Sequence, residues 1–134
     1  MPSLAVVDTN VLVSALLKPT SVPALVAQAL RRNVLVPVVC ADIMDEYRAV
    51  LSRPKLGLAA TDVAELLQLL GVQARWVQLS ACPATLRLPD PADWPFIGCA
   101  AAAQCPVITG NLKHFPAVMG VEAMTARTWV DRYG

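Results

Sequence analysis

Hydrophobic and polar positions alternate along this chain in blocks that switch period. Leu4 to Val7 is an uninterrupted apolar run that ends on Asp8, the pattern of a strand buried on both faces in a parallel sheet. Val11 to Leu17 then reads as a short helix stopped near Pro19. Thr20 and Ser21 are caps for a second helix, with Pro23 in its first turn. Val22, Leu25, Val26, Ala29 and Leu30 form its apolar stripe, and Arg31 and Arg32 close it. Val34 to Val36 is a second strand, cut short or pushed to an edge by Pro37.

A third helix is expected from about Ala41 to Ser52, with Ile43, Tyr47, Val50 and Leu51 inward and Glu46 bordering that stripe. A fourth starts at Thr61 and Asp62, buries Val63, Leu66, Leu67 and Leu70, and ends at Gly71. Leu69 falls outside that face and is read as an interface residue. Arg75 to Leu79 is strand-like, and Ser80 to Pro95, with four prolines, is loop. Asp93 stands at the N-cap of a fifth helix that runs into the alanines 100 to 103 and ends before Pro106. Val107-Ile108-Thr109 and Val121 to Met124 complete the strands, and Thr125 caps a last helix to Tyr133. Strands alternating with helices imply one α/β domain over residues 1–134, with helices on both faces of a parallel sheet.

Composition alters this picture in one respect. Hydrophobic residues make up 56% and charged residues 16%, with a mean hydropathy of +0.53. No apolar run reaches the roughly 18 residues of a membrane span. The surplus therefore points to a homodimer or a protein partner. The start Met-Pro-Ser-Leu lacks a basic leader, and Cys40, Cys82, Cys99 and Cys105 have no metal-knuckle spacing. The expectation is a cytoplasmic protein with reduced thiols. A net charge of +1 neither demands nor excludes nucleic acid.

The candidate chemistry is acidic. Asp8 ends a strand, Glu46 borders a buried helix face, and Asp90 and Asp93 precede a helix. In a parallel sheet, strand ends and the starts of following helices share one edge, where ligands bind. Carboxylates gathered there repel and take up protons unless a cation compensates, and a hard divalent ion suits oxygen ligands. Asn10, Thr109 and Asn111 are neutral oxygen donors beside the same edge. The residues leave simpler roles open: Asp8 and Asp93 as helix caps, Asp90 as the turn residue of Asp-Pro, Glu46 as a partner of Arg48. His114, the only histidine, reads as a loop residue. There is no phosphate-binding glycine loop, dinucleotide fingerprint or nucleophile elbow.

The order of these elements resembles the PIN-domain family. Val7-Asp8-Thr9-Asn10-Val11-Leu12-Val13-Ser14-Ala15-Leu16 is similar to its opening motif. Asp45-Glu46-Tyr47 with Leu51-Ser52-Arg53-Pro54-Lys55 resembles its glutamate helix, Asp90-Pro91-Ala92-Asp93 its third acidic element, and Ile108-Thr109-Gly110-Asn111 its fourth. The nearest group is the small bacterial toxins of toxin–antitoxin pairs. The resemblance implies a three-layer α/β/α domain with a parallel five-stranded sheet. It implies a magnesium- or manganese-dependent endoribonuclease, with an RNA substrate and a protein antitoxin. Asp8, Glu46 and Asp93 match the family's metal-binding acids, and Asp90 is an additional catalytic acid from the same loop. Where the family commonly has a fourth aspartate this chain has Asn111, which brings no charge and leaves one or two metal ions open. Arg31, Arg32, Arg48, Arg53, Lys55 and Lys113 are the cations available for RNA phosphates. The alternative is a PIN-fold module that binds RNA or protein with little or no catalysis.

Overall fold

The computed structural model describes residues 2–134. Five parallel strands lie in the order β3-β2-β1-β4-β5. They are β1 (Ser3–Val7), β2 (Leu35–Val39), β3 (Arg75–Trp76), β4 (Val107–Ile108) and β5 (Ala123–Met124). Six helices flank them in an α/β/α arrangement: α1 (Thr9–Leu17), α2 (Val22–Arg31), α3 (Ala41–Leu51), α4 (Ala60–Gln73), α5 (Trp94–Ala103) and α6 (Ala126–Tyr133). Val6, Val7, Val38, Val39, Val107 and Ile108 are fully buried, which is why these strands read as unbroken apolar runs.

The chain steps from β1 to β2 to β3 through two helix pairs, then crosses back through α5 to β4 on the other side of β1. That reversal makes a switch point between β1 and β4, and the crevice at the carboxyl ends of such strands is where α/β sheets bind ligands. Asp8 leaves β1 and Thr109 leaves β4 on either side of this point.

Several local expectations give way to tertiary structure. β2 continues through Pro37 to Val39. Pairing with β3 begins only at Val38, so at Pro37 the strand has β1 alone beside it, an edge-like position that tolerates a missing donor. Gly71 does not end α4, which runs on to Gln73. Its carbonyl accepts the Trp76 indole N–H at 3.0 Å, tying the helix end to β3. β3 keeps two of the expected strand residues. In α2 the buried set is Ala24, Val26, Ala27, Ala29 and Leu30, and Leu25 faces solvent. Leu69 is half-buried against the core, so it is not a spare interface residue; Val72 and Trp76 are the exposed apolar side chains of that region.

The proline-rich segment before α5 lies over the helix rather than away from it. The Trp94 indole donates to the Ser80 carbonyl at 2.9 Å. A Cβ on Gly98 would meet Leu79 Cδ1 at 2.6 Å and Trp94 Cζ2 at 2.8 Å, so any larger residue there would have to push these side chains aside.

No single helix among the described residues is long and apolar enough to cross a membrane.

Candidate active site at the carboxyl edge of the sheet

Asp8 is buried immediately after β1, at the N-cap position of α1, yet its side chain makes no capping bond. The Thr109 hydroxyl, 101 residues away, donates to Asp8 Oδ2 at 2.8 Å. Burial pushes the Asp8 carboxyl above its ordinary pKa; the Thr109 bond, the Thr9 and Asn10 amides and His114 oppose the shift. Glu46 lies in the second turn of α3, half-buried, and accepts a short hydrogen bond from the Thr9 hydroxyl. Next to it, the buried Tyr47 hydroxyl donates to the Val7 carbonyl and ties α3 to the end of β1. Glu46 is therefore engaged by Thr9, and Arg48 instead pairs with Asp45 at 3.3 Å.

The Asp90-Pro-Ala-Asp93 segment forms a single 3-10 turn that leads into α5. Asp90 caps that turn by accepting the Ala92 amide at 2.9 Å. Asp93 occupies the N-cap position of α5 without a capping bond. Its Oδ2 is buried with no hydrogen-bond donor, although His114 Nδ1 stands 3.4 Å away. Burial raises the Asp93 carboxyl to about 6, with Asp8, Asp90 and Glu46 adding to the shift and His114 reducing it. Ligand atoms of Asp90, Asp93 and His114 lie within 4.8 Å of one another; Asp8 and Glu46 stand outside that group.

The loop after β4 supplies the rest. Thr109 is fully buried and accepts the Asn111 amide at 3.0 Å while it holds Asp8. The side chains of Asn10 and Asn111 are exposed. A 3-10 turn, Leu112–His114, folds His114 back toward Asp93, a placement the sequence reading as a loop residue missed. A lone histidine has no spacing pattern to read, and the contact spans 21 positions.

The cations divide by topology. Lys113 follows β4 and lies at the acidic edge. Arg31 and Arg32 end α2 and lead into the start of β2, at the opposite edge. α3 carries the chain about 16 Å away from the acidic edge before Arg53 and Lys55.

The donor set fits a hard divalent cation. Two carboxylates with raised pKa values, one with an oxygen lacking any donor, are what a cation's charge relieves. Thr109→Val removes the donor on Asp8 at nearly constant volume. We expect a loss of about 1.5–3 kcal/mol in urea unfolding, because a buried carboxylate loses its hydroxyl partner. Thr109→Ser should recover most of it.

Fold and edge together define an α/β/α domain with a group of acidic residues at a sheet switch point. The PIN domain family model matches residues 5–113, and the chain belongs to that family, a family of nucleases. No protein among the curated sequences matches. A similar solved structure is that of VapBC2 from Rickettsia felis, bound to a DNA fragment from their promoter. The match has a TM-score of 0.62 at 15% identity and covers 90% of this chain and 96% of that one. At that identity the likeness is one of fold.

Proposed function

We propose that this chain is a divalent-cation-dependent endoribonuclease, the toxin of a toxin–antitoxin pair. The observation that carries the reading is Asp93: a carboxylate raised to about 6, with one oxygen buried and without a donor, facing other acids. Asp8, Glu46 and Asp93 are the residues that would hold Mg²⁺ or Mn²⁺. When bound, the cation supplies charge neutralisation at the scissile phosphate and a more acidic water.

The chain's own groups do the positioning. Thr109 and Thr9 fix the Asp8 and Glu46 carboxylates through their hydroxyls. Asp90, held by the Ala92 amide, orients the attacking water. Lys113 receives RNA phosphate at the acidic edge, where the carboxylates alone would repel it. Asn10 and Asn111, both exposed there, donate hydrogen bonds to the RNA backbone. An antitoxin partner is proposed because the VapBC2 neighbour is such a complex on DNA. The exposed Val72 and Trp76 suit a protein contact, with a second copy of this chain or with the antitoxin. Such a protein works in the cytoplasm, where its RNA lies.

The test is cleavage of mixed RNAs by the purified chain, with Mg²⁺, with Mn²⁺ and with chelator. We expect cation-dependent cleavage that falls by at least about 100-fold in Asp8→Asn, since losing a carboxylate that holds the cation costs at least as much as losing a partner that only supports one. Cleavage that survives chelation, or an Asp8→Asn variant as active as the parent, overturns the reading. RNA binding by the parent with no cleavage under any cation identifies a binding module instead.

A further inference from the structure

We propose that His114 is a nitrogen ligand of the cation site and fills, as a neutral donor, the ligand position that Asn111 leaves without a carboxylate. The site then favours imidazole-accepting first-row cations, such as Co²⁺, over Mg²⁺. The inference rests on the proposed cation site but is independent of RNA cleavage.

Three observations converge. First, His114 Nδ1 stands 3.4 Å from Asp93 Oδ2, and ligand atoms of Asp90, Asp93 and His114 all lie within 4.8 Å of one another. Neighbouring ligands on an octahedral ion with about 2.1 Å bonds are about 3 Å apart, so little movement separates this arrangement from coordination. Second, Asp93 Oδ2 is buried without a hydrogen-bond donor although His114 Nδ1 lies 3.4 Å from it, so this oxygen keeps its lone pairs free for a cation.

Third, His114 is held in place by packing. The His114 amide donates to the Asn111 carbonyl at 3.1 Å, closing the turn. The next residue, Phe115, is buried edge-on against Phe96, with ring centroids 6.5 Å apart. Phe96 lies in the first turn of α5, three residues after Asp93. The same aromatic contact therefore anchors the turn of His114 to the helix of Asp93. Asn111 itself is exposed, its backbone N–H donates to the Thr109 hydroxyl, and the turn that starts there carries His114 to the cluster.

The competing arrangement is an ion pair between His114 and Asp93 that a cation must break. The two differ in sign. As a ligand, His114 strengthens binding of a cation that accepts imidazole and contributes little with Mg²⁺, which prefers oxygen. As an ion-pair partner, it competes with every cation.

The experiment is calorimetric titration of Co²⁺ and Mg²⁺ into the full chain and into His114→Ala and His114→Gln. His114 is half-exposed, so both variants should keep the fold, which circular dichroism checks. We expect Co²⁺ affinity to fall at least 10-fold in both, and Mg²⁺ affinity to change less than 3-fold. Pulsed electron paramagnetic resonance of the Mn²⁺-loaded chain should show an imidazole nitrogen coupling that both variants lack. Co²⁺ affinity that is unchanged or tighter in the variants, or no nitrogen coupling in the parent, overturns this inference alone. A parent chain that binds none of these cations overturns the cation site with it.

Discussion

Asp93→Asn should melt higher than the parent chain when no divalent cation is present, and should lose the proposed nuclease activity. The Asp93 carboxyl sits at about 6 in the folded chain, against an ordinary value of 3.8. The folded state thus binds this proton more tightly than the unfolded state. As pH rises from about 4 to 6, the folded chain must give up a proton it favours, so stability falls across that window and stays lower above it. Asp93 keeps some contact with solvent, so screening trims the gap to on the order of 1–2 kcal/mol at neutral pH. Asparagine removes the charge, keeps the shape and is a favoured N-cap residue, so the variant avoids that cost. For a domain of this size the gain is roughly 3–7 °C in melting temperature. The advantage should be small near pH 4 and vanish only well below 3.8, where the parent carboxyl is protonated in both states. Millimolar Mg²⁺ or Mn²⁺ should raise the melting temperature of the parent and leave the variant unmoved. Thermal melts of both proteins at pH 4 and pH 7.5, with and without cation, decide the matter. A variant less stable than the parent at pH 7.5 without cation would mean that burial and repulsion do not dominate at this residue. The exchange of stability for a charged cleft is the pattern expected of a functional site.

The largest loss of stability is expected from Trp129→Ala. Trp129 lies in α6, fully buried, and stacks at a tilt on Tyr133 with centroids 5.9 Å apart. Thr125 caps this helix through the Thr128 amide at 3.1 Å, so local structure and burial agree. Truncating a buried tryptophan leaves a cavity and costs about 3–5 kcal/mol. That is a large share of the roughly 5–15 kcal/mol that holds an ordinary domain together. The indole N–H has no hydrogen-bond partner, however. Trp129→Phe loses ring area but also removes that unpaired donor, whose burial costs about 1–3 kcal/mol. The two effects oppose, and the phenylalanine variant should stay within about 1 kcal/mol of the parent. Urea unfolding of both variants measures the contrast. If Phe costs as much as Ala, the indole N–H is satisfied after all. α6 lies beyond residues 5–113, the part that matches the PIN family model, so neither variant should alter cation affinity of the folded chain.

Local pattern and tertiary structure contributed to the site in different ways. The apolar run into Asp8, the alternation of strands and helices, and the order of the four acidic elements were all legible along the chain. They follow from periodicity and from the burial of parallel strands, which act on neighbours in sequence. The five-stranded parallel sheet and the PIN family followed from that order. Contacts between distant residues were not legible. Thr109 reaches Asp8 because β4 inserts beside β1, and Thr9 meets Glu46 because α3 returns over the end of β1. His114 turns toward Asp93 because Phe115 is buried against Phe96. Pro37 and Gly71, both read as breakers, sit inside elements, since a short β3 leaves Pro37 an edge-like place and packing carries α4 past Gly71. The sequence by itself determined which residue types stand at the ends of strands and helices. Only the tertiary structure decided which of them share a hydrogen bond, because strand order, not chain distance, sets who is adjacent at the edge of a sheet.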